Sequence, residues 1–253
     1  KSYFFFDSGF VCLGAGISAQ KPEAVLTSVN QCLRQGEILL LKEVPKSMDQ
    51  GLKRVQNLRG VFHAGIGTYF LADQQVVVRA DIQEGSWKDL EANSRQSETL
   101  KKEVFSVWID HGTTPRASTY AYAVMPGMDR ETFVAHSEDL PFQVLANRVD
   151  VQAVAFPNSR TVHMAFYEAG AFQTPDGTRI QVDVPCLVIL QDQEALRTLS
   201  IADPTQKVLT AHITLSESSL EKERGAGGHD REWVVDFPQG EGAGRTVVRS
   251  ISK

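Results

Sequence analysis

Short apolar runs separated by turn residues dominate this chain, the pattern of an all-β protein. Phe10 to Ile17, Glu37 to Val44, Val61 to Leu71, Gln75 to Ile82, Glu103 to Asp110 and Tyr120 to Met125 each predict a strand. In the last of these, Tyr120, Tyr122 and Val124 alternate with Ala121, Ala123 and Met125, a period of two with small residues on one face of a tightly packed sheet. Pro22 to Leu33 is ambiguous: Val25, Val29 and Leu33 recur at a helical spacing, while "VLTSV" is rich in β-branched residues. Short helices are expected at Arg95 to Lys102, rich in Glu, Lys and Leu, and at Asp129 to His136, where Asp129 can cap the first turn.

From Val149 onward the rhythm is plainer. "VDVQAVAF" and "TVHMAFYEAGAF" flank "PNSR", and "QTPDGTR" precedes "IQVDVPCLVILQ". Two hairpins follow, turning at Pro157 to Ser159 and at Pro175 to Gly177, because Pro fixes φ while Asn and Gly tolerate positive φ. Further strands are expected at Ala211 to Leu215, Glu232 to Phe237 and Arg245 to Ile251, with the Gly-rich "EKERGAGGHDR" as a mobile loop. The polar stretch Gly127 to Asp139 is the candidate boundary, dividing the chain into 1–128, a linker at 129–139, and 140–253.

The opening "KSYFFFDSGFVCLGAGI" places Tyr3, Phe4, Phe5 and Phe6 where a natural terminus is usually polar. Unless another element covers them they expose a large apolar area, so Lys1 reads as a cut edge, that of a fragment, a processed product or an excised domain.

Charge narrows the function classes. Residues 1–128 carry 14 Lys and Arg against 13 Asp and Glu, and residues 129–253 carry 12 against 18. No basic stripe suits nucleic acid, and no apolar run approaches the roughly 20 residues of a membrane-spanning helix. Cys12, Cys32 and Cys186 lack C-x-x-C spacing and sit among apolar neighbours, as buried small hydrophobes do; a Cys12–Cys32 bridge stays open in an oxidising compartment. No metal-ligand spacing appears. The glycines Gly14, Gly16, Gly65 and Gly67 lack the strand–loop–helix setting of a phosphate cradle and are read as tight sheet packing, and no cofactor is implied.

Several stretches in one order resemble polysaccharide lyase family 8, whose members cleave chondroitin, hyaluronan or xanthan: the opening segment, "GSWKDLEANSR", "VFSVWIDHGTTPRASTYAYAVMPG", "VPCLVILQ" and "ADPTQK". The resemblance implies part of a multi-sheet β super-sandwich followed by a smaller C-terminal β-sandwich. It also favours a strand at Pro22 to Leu33. The family's catalytic Asn, His, Tyr and Arg lie on an α/α toroid, so no catalytic position carries over to this chain. The implied partners are that toroid and an acidic polysaccharide, and the implied location is secreted or periplasmic.

Three residues are candidates for carbohydrate contact. Trp87 could stack on a sugar ring or anchor a loop. His63 in "VFHAGIGTYF" is read as a sheet-face or core histidine before a ligand, and Arg59 offers a cation nearby. Trp108 in "VFSVWID" is expected in the core. His111 and Tyr120 would be central if the chain were itself a complete enzyme, but "DHGTTP" reads first as a turn shaped by Gly112 and Pro115. The leading function is the non-catalytic β-region of a lyase acting on uronate-containing glycosaminoglycans; the alternative is a free-standing carbohydrate-binding β-sandwich module.

Overall fold

The computed structural model describes residues 1–91, 93, 95, 98–193, 196–216 and 230–252. They fall into two units, one of residues 5–139 and one of residues 140–253 with residues 1–4.

The first unit holds the end of β1 (Ser2–Phe6), whose residues 2–4 count with the second unit, and the strands β2 (Gly9–Ile17), β3 (Ala24–Leu33), β4 (Ile38–Leu41), β5 (Lys46–Ser47), β6 (Gly51–Gln56), β7 (Gly60–His63), β8 (Ile66–Phe70), β9 (Gln75–Gly85), β10 (Leu100–Thr113) and β11 (Ser118–Pro126). Two short helices, α1 (Trp87–Leu90) and α2 (Arg130–His136), complete it. A seven-stranded sheet runs β1-β2-β11-β8-β7-β4-β5, and a four-stranded sheet runs β3-β10-β9-β6. Cys12, Ile38, Leu40, Phe70, Tyr120 and Tyr122 from the first sheet meet Val76, Val78, Phe105, Val107 and Ile109 from the second in one core. Alternation explains this membership: residues two apart on a strand share a face. In β4 all four residues are buried, so its continuous "ILLL" packs on both faces.

The other face of the large sheet receives α2. Asp129 caps this helix as its composition predicts, its carboxylate accepting from the Thr132 amide at 2.7 Å. That bond, with one from the Thr132 side chain, holds the Asp129 carboxyl below the usual carboxylate range against a small opposing effect of burial. Phe133 is fully buried, with its ring 5.0 Å from Tyr69 and 5.6 Å from Phe62. Only glycine leaves room: a Cβ on Gly67 would lie 2.8 Å from the Phe133 ring, and one on Gly60 would lie 2.9 Å from it. The packing reading of the glycines thus holds at Gly67 and also at Gly14. Gly16 and Gly65 instead adopt positive φ, of 73° and 75°.

Several sequence expectations change. Val61 to Leu71 is not one strand but the hairpin β7–β8, closed by the His63–Ile66 pair. Ala64 and Gly65 turn it with φ of 52° and 75°, the two positive angles of a type I′ turn. The ambiguous segment forms β3, because eight of its ten residues gain ladder partners on β10 that a helix there would not have. The helix expected at Arg95 to Lys102 gives way at its C-terminal end to strand: Leu100, Lys101 and Lys102 pair with Gly85, Glu84 and Gln83, and Lys101 reaches Glu84 at 2.6 Å. Trp108 is half-buried and absent from the core, since Val107 and Ile109 occupy the core face of β10 and the pleat turns Trp108 to the opposite face, across from Val77. Tyr3 and Phe5 are exposed on β1, while Phe4 is buried.

The second unit contains β12 (Gln143–Asn147), β13 (Val151–Phe156), β14 (Thr161–Phe166), β15 (Gly170–Gln173), β16 (Arg179–Val182), β17 (Cys186–Asp192), β18 (Leu196–Ala202), β19 (Thr210–Ser216), β20 (Arg231–Asp236) and β21 (Val247–Ser252). A six-stranded sheet, β12-β13-β14-β17-β18-β21, packs on a four-stranded one, β15-β16-β19-β20. Met164, Phe166, Val188, Leu199 and Ile201 of one sheet share a core with Phe172, Ile180, Ile213, Leu215 and Val235 of the other. Both expected hairpins form, β13–β14 through Pro157–Ser159 and β15–β16 through Pro175 to Gly177. Most of "EKERGAGGHDR" lies outside the described residues.

The "ADPTQK" stretch is a loop organised by one buried carboxylate. Asp203 accepts from the amides of Thr205, Lys207 and Val208, each at 2.8 Å, and from the Thr205 hydroxyl at 2.7 Å. Burial would raise its pKa, but these donors outweigh it and hold the carboxyl below the usual range. The three cysteines are unbridged: Cys12 and Cys186 are buried, and Cys32 is half-buried. Burial, with Asp183 and Asp203 nearby, pushes the Cys186 thiol up to about 12, so it stays protonated.

Candidate carbohydrate-contact site

His63 ends β7 with 3% of its surface exposed, stacked on Phe105 at 4.1 Å between ring centroids. The Gln35 amide donates to its Nε2 at 3.0 Å, which fixes Nε2 as the acceptor and puts the proton on Nδ1, facing Cys32 Sγ at 3.8 Å. Burial, reinforced by the charge of Arg34, lowers its pKa, so the ring is neutral. In this setting His63 joins two strands of the first unit and offers a ligand almost no surface.

Arg59 binds the C-terminal end of α2. Its Nη2 donates to the Ser137 carbonyl at 3.0 Å and to Glu138 Oε1 at 2.6 Å. A cation there satisfies a carbonyl left over at a helix end. Its side chain keeps 41% exposure, so its outer edge still meets solvent.

Trp87 opens the single turn α1, where the Ser86 amide donates to Asp89 Oδ2 at 2.8 Å. Its side chain is in the open: Trp87 is 53% exposed and Leu90 81%. The three candidates therefore differ in kind, one exposed aromatic, one half-engaged cation and one core histidine.

His111 and Tyr120 lie with their rings 6.2 Å apart, but their surroundings are those of packing. Tyr120 is buried against Gly14, whose Cβ would sit 2.2 Å from the tyrosine ring. His111 Nε2 bonds Thr27 Oγ1 at 2.8 Å, and burial lowers its pKa against the opposing pull of Asp110. Asp110 accepts from the Gly112 amide at 2.9 Å, the local turn bond that "DHG" predicts.

Sequence reasoning missed a charged cluster in the second unit. Arg197, nearly buried, reaches Asp176 Oδ2 at 3.2 Å, Asp192 Oδ2 at 3.4 Å and Thr178 Oγ1 at 3.1 Å. Burial would raise the pKa of Asp176, but hydrogen bonds from Thr174 and Thr178 and the charge of Arg197 keep it below the usual carboxylate range. The turn "TPDGT" was legible as a turn; its bond to a strand residue 21 positions away was not. Among the described residues no group of three or more His, Cys, Asp or Glu is placed to hold a metal ion, and no helix is long and apolar enough to cross a membrane.

Comparison with known proteins gives this fold a family. The polysaccharide lyase family 8 super-sandwich domain matches residues 1–137, and the family's C-terminal β-sandwich domain matches residues 143–211. A Chondroitinase-AC of Pedobacter heparinus is 31% identical over 247 residues, covering 98% of this chain and 34% of that protein. A hyaluronate lyase of Thermasporomyces composti is 31% identical over 220 residues, covering 85% of this chain and 28% of its own length. A solved chondroitinase AC lyase, determined in complexes with oligosaccharides, superposes with a TM-score of 0.86 at 29% identity, over 98% of this chain and 35% of that one. A Paenibacillus xanthan lyase shares the fold with a TM-score of 0.83 at 18% identity, over 99% of this chain and 26% of that one. The chain thus spans about a third of the length of these relatives. With the two β-domains of one family matched in order along it, the chain belongs to polysaccharide lyase family 8.

Proposed function

We propose that this chain is the non-catalytic β-region of a polysaccharide lyase that cleaves uronate-containing glycosaminoglycans, chondroitin sulfate or hyaluronan, by β-elimination. Residues 1–128 are assigned to the central super-sandwich, 129–139 to the linker and 140–253 to the C-terminal sandwich. The observation that carries this reading is one of coverage: a Chondroitinase-AC aligns with nearly all of this chain but gives up only 34% of its own length to it. The remaining two thirds of such an enzyme leave room for an α/α toroid, whose groups would abstract the proton α to the uronate carboxylate and protonate the leaving oxygen. The β-region would support that toroid and wall one side of the substrate cleft.

Of the three contact candidates, Trp87 best supports a role against the polymer, because its ring is open to solvent and a flat aromatic suits the apolar face of a pyranoside. A secreted or periplasmic location fits an enzyme whose polymeric substrate lies outside the cell.

The test measures the unsaturated uronate product of β-elimination, which absorbs near ~232 nm from the conjugation that proton abstraction creates. Residues 1–253 alone should form none from chondroitin or hyaluronan. The same residues joined to the toroid of a family member should form it, and Trp87→Ala in that fusion should raise KM with kcat little changed. Product formation by residues 1–253 alone would refute the proposal. Glycan binding by this chain together with an inert fusion would select the free-standing binding module instead.

A further inference from the structure

The second unit has a pocket of about 310 Å³ at one end of its sandwich. Its floor follows from register: Ala155 pairs with Val162, and Val162 with Leu190, so the three side chains form one row across β13, β14 and β17. Leu190 belongs to the core, so this row faces the interior of the sandwich. The rim is polar. Arg160 ends the β13–β14 turn, Asp176 sits in the β15–β16 turn, and Asp192 closes β17, whose amide donates to the Arg160 carbonyl at 2.9 Å.

The rim groups are held differently. Asp176 and Asp192 are fixed from behind by Arg197, which is only 11% exposed in its side chain, while half of the Asp176 side chain remains open. Arg160 is exposed, and among the described residues its guanidinium makes no ion pair. Among the described residues at the pocket, the formal charges of these two carboxylates and two guanidiniums cancel, which favours neither a cation nor an anion. Arg197 already occupies the position between the carboxylates that a metal ion or ammonium group would need.

We propose that this pocket binds one neutral glycosyl unit. An apolar floor with a few convergent polar groups is the usual build of a small-molecule site, and the volume lies at the small end of the roughly 300–1,000 Å³ such sites span. The carboxylates can only accept hydrogen bonds and Arg160 can only donate, whereas a sugar hydroxyl does both; vicinal hydroxyls therefore satisfy both kinds of rim group at once. The apolar floor meets the C–H face of the ring. This inference concerns the second unit by itself and stands whether or not the chain is part of a lyase.

The test is an amide-resolved NMR titration of residues 1–253 with methyl β-galactoside and methyl N-acetyl-β-glucosaminide, with glucuronate and inorganic sulfate as charged controls. The neutral glycosides should shift the amides of Arg160 to Val162, Asp176 to Thr178 and Asp192, saturating at about 1–10 mM, the range of a single-ring ligand with a few hydrogen bonds. Arg160→Asn removes the guanidinium and tolerates the left-handed backbone of this residue, where φ is 51°. It should weaken binding about tenfold with an unchanged melting temperature, the loss of one charge-assisted hydrogen bond. The proposal is overturned if neutral glycosides leave these amides unmoved, if glucuronate or sulfate saturates the site as tightly, or if Arg160→Asn binds as well as the parent.

Discussion

Replacing Phe133 by Ala tests whether the notch in the large sheet is what holds α2. The ring is fully buried, lies within 5.0 Å and 5.6 Å of the Tyr69 and Phe62 rings, and rests on Gly60 and Gly67. Truncating a buried Phe costs about 3–5 kcal/mol, transfer and cavity terms together. The upper half of that range is expected here, because the walls are sheet residues that cannot collapse into the space. The notch makes a second, sharper demand. In Gly67→Ala the new Cβ would stand 2.4 Å from Met128 Sδ and 2.8 Å from the Phe133 ring. The thioether is the far end of a flexible side chain and can move, whereas the ring is packed on every side. Gly67→Ala alone should therefore cost about 1–3 kcal/mol, the usual penalty of overpacking. In the Phe133→Ala background most of that penalty should vanish, giving a coupling of about 1 kcal/mol or more. Urea unfolding read through amide exchange of β8 and β11 reports the unit that carries Phe133. A loss below about 1 kcal/mol for Phe133→Ala, or strictly additive costs in the double variant, would refute the notch as the anchor of α2.

Three other outcomes follow from the same physical reasoning. Trp108→Ala should cost about 1–2 kcal/mol, the value of partial apolar burial, and not the 3–5 of a core aromatic; a larger loss by urea denaturation would return this residue to the core. Ala64→Asn should stabilise the β7–β8 hairpin by about 0.5–1 kcal/mol, since Asn-Gly suits a type I′ turn in which Ala64 already holds a φ of 52°; a lower melting temperature would contradict the turn assignment. Asp203→Ala should cost about 2–4 kcal/mol by leaving three amides of its loop without their acceptor. Because the folded pKa of Asp203 lies below its unfolded value, its stabilisation is complete above about pH 4 and is lost as pH falls through the lowered folded value. A parent and an Asp203→Ala protein with the same acid-unfolding profile would show that this carboxylate contributes nothing.

What the residues alone determine here is local. Period-two alternation at Tyr120 to Met125 placed both tyrosines on the core face, the Pro and Gly turns closed the expected hairpins, and Asp129 capped its helix, because each depends on neighbours within a few positions. The order of the family motifs added the architecture of two β-domains. Three-dimensional packing decided the rest. Helical spacing in Pro22 to Leu33 yielded to the ladder with β10, since a strand's stability comes from partners distant in sequence. Trp108 looked like core by its apolar company, yet only the pleat of β10 could say which face that company occupied. His63, a candidate for ligand contact by residue type, gained a hydrogen bond from Gln35 and a stacked Phe105 that no spacing announced. The pocket of the second unit was wholly illegible, because Arg160, Asp176, Asp192 and Arg197 come from separate turns and strands that only the closing of two sheets brings together.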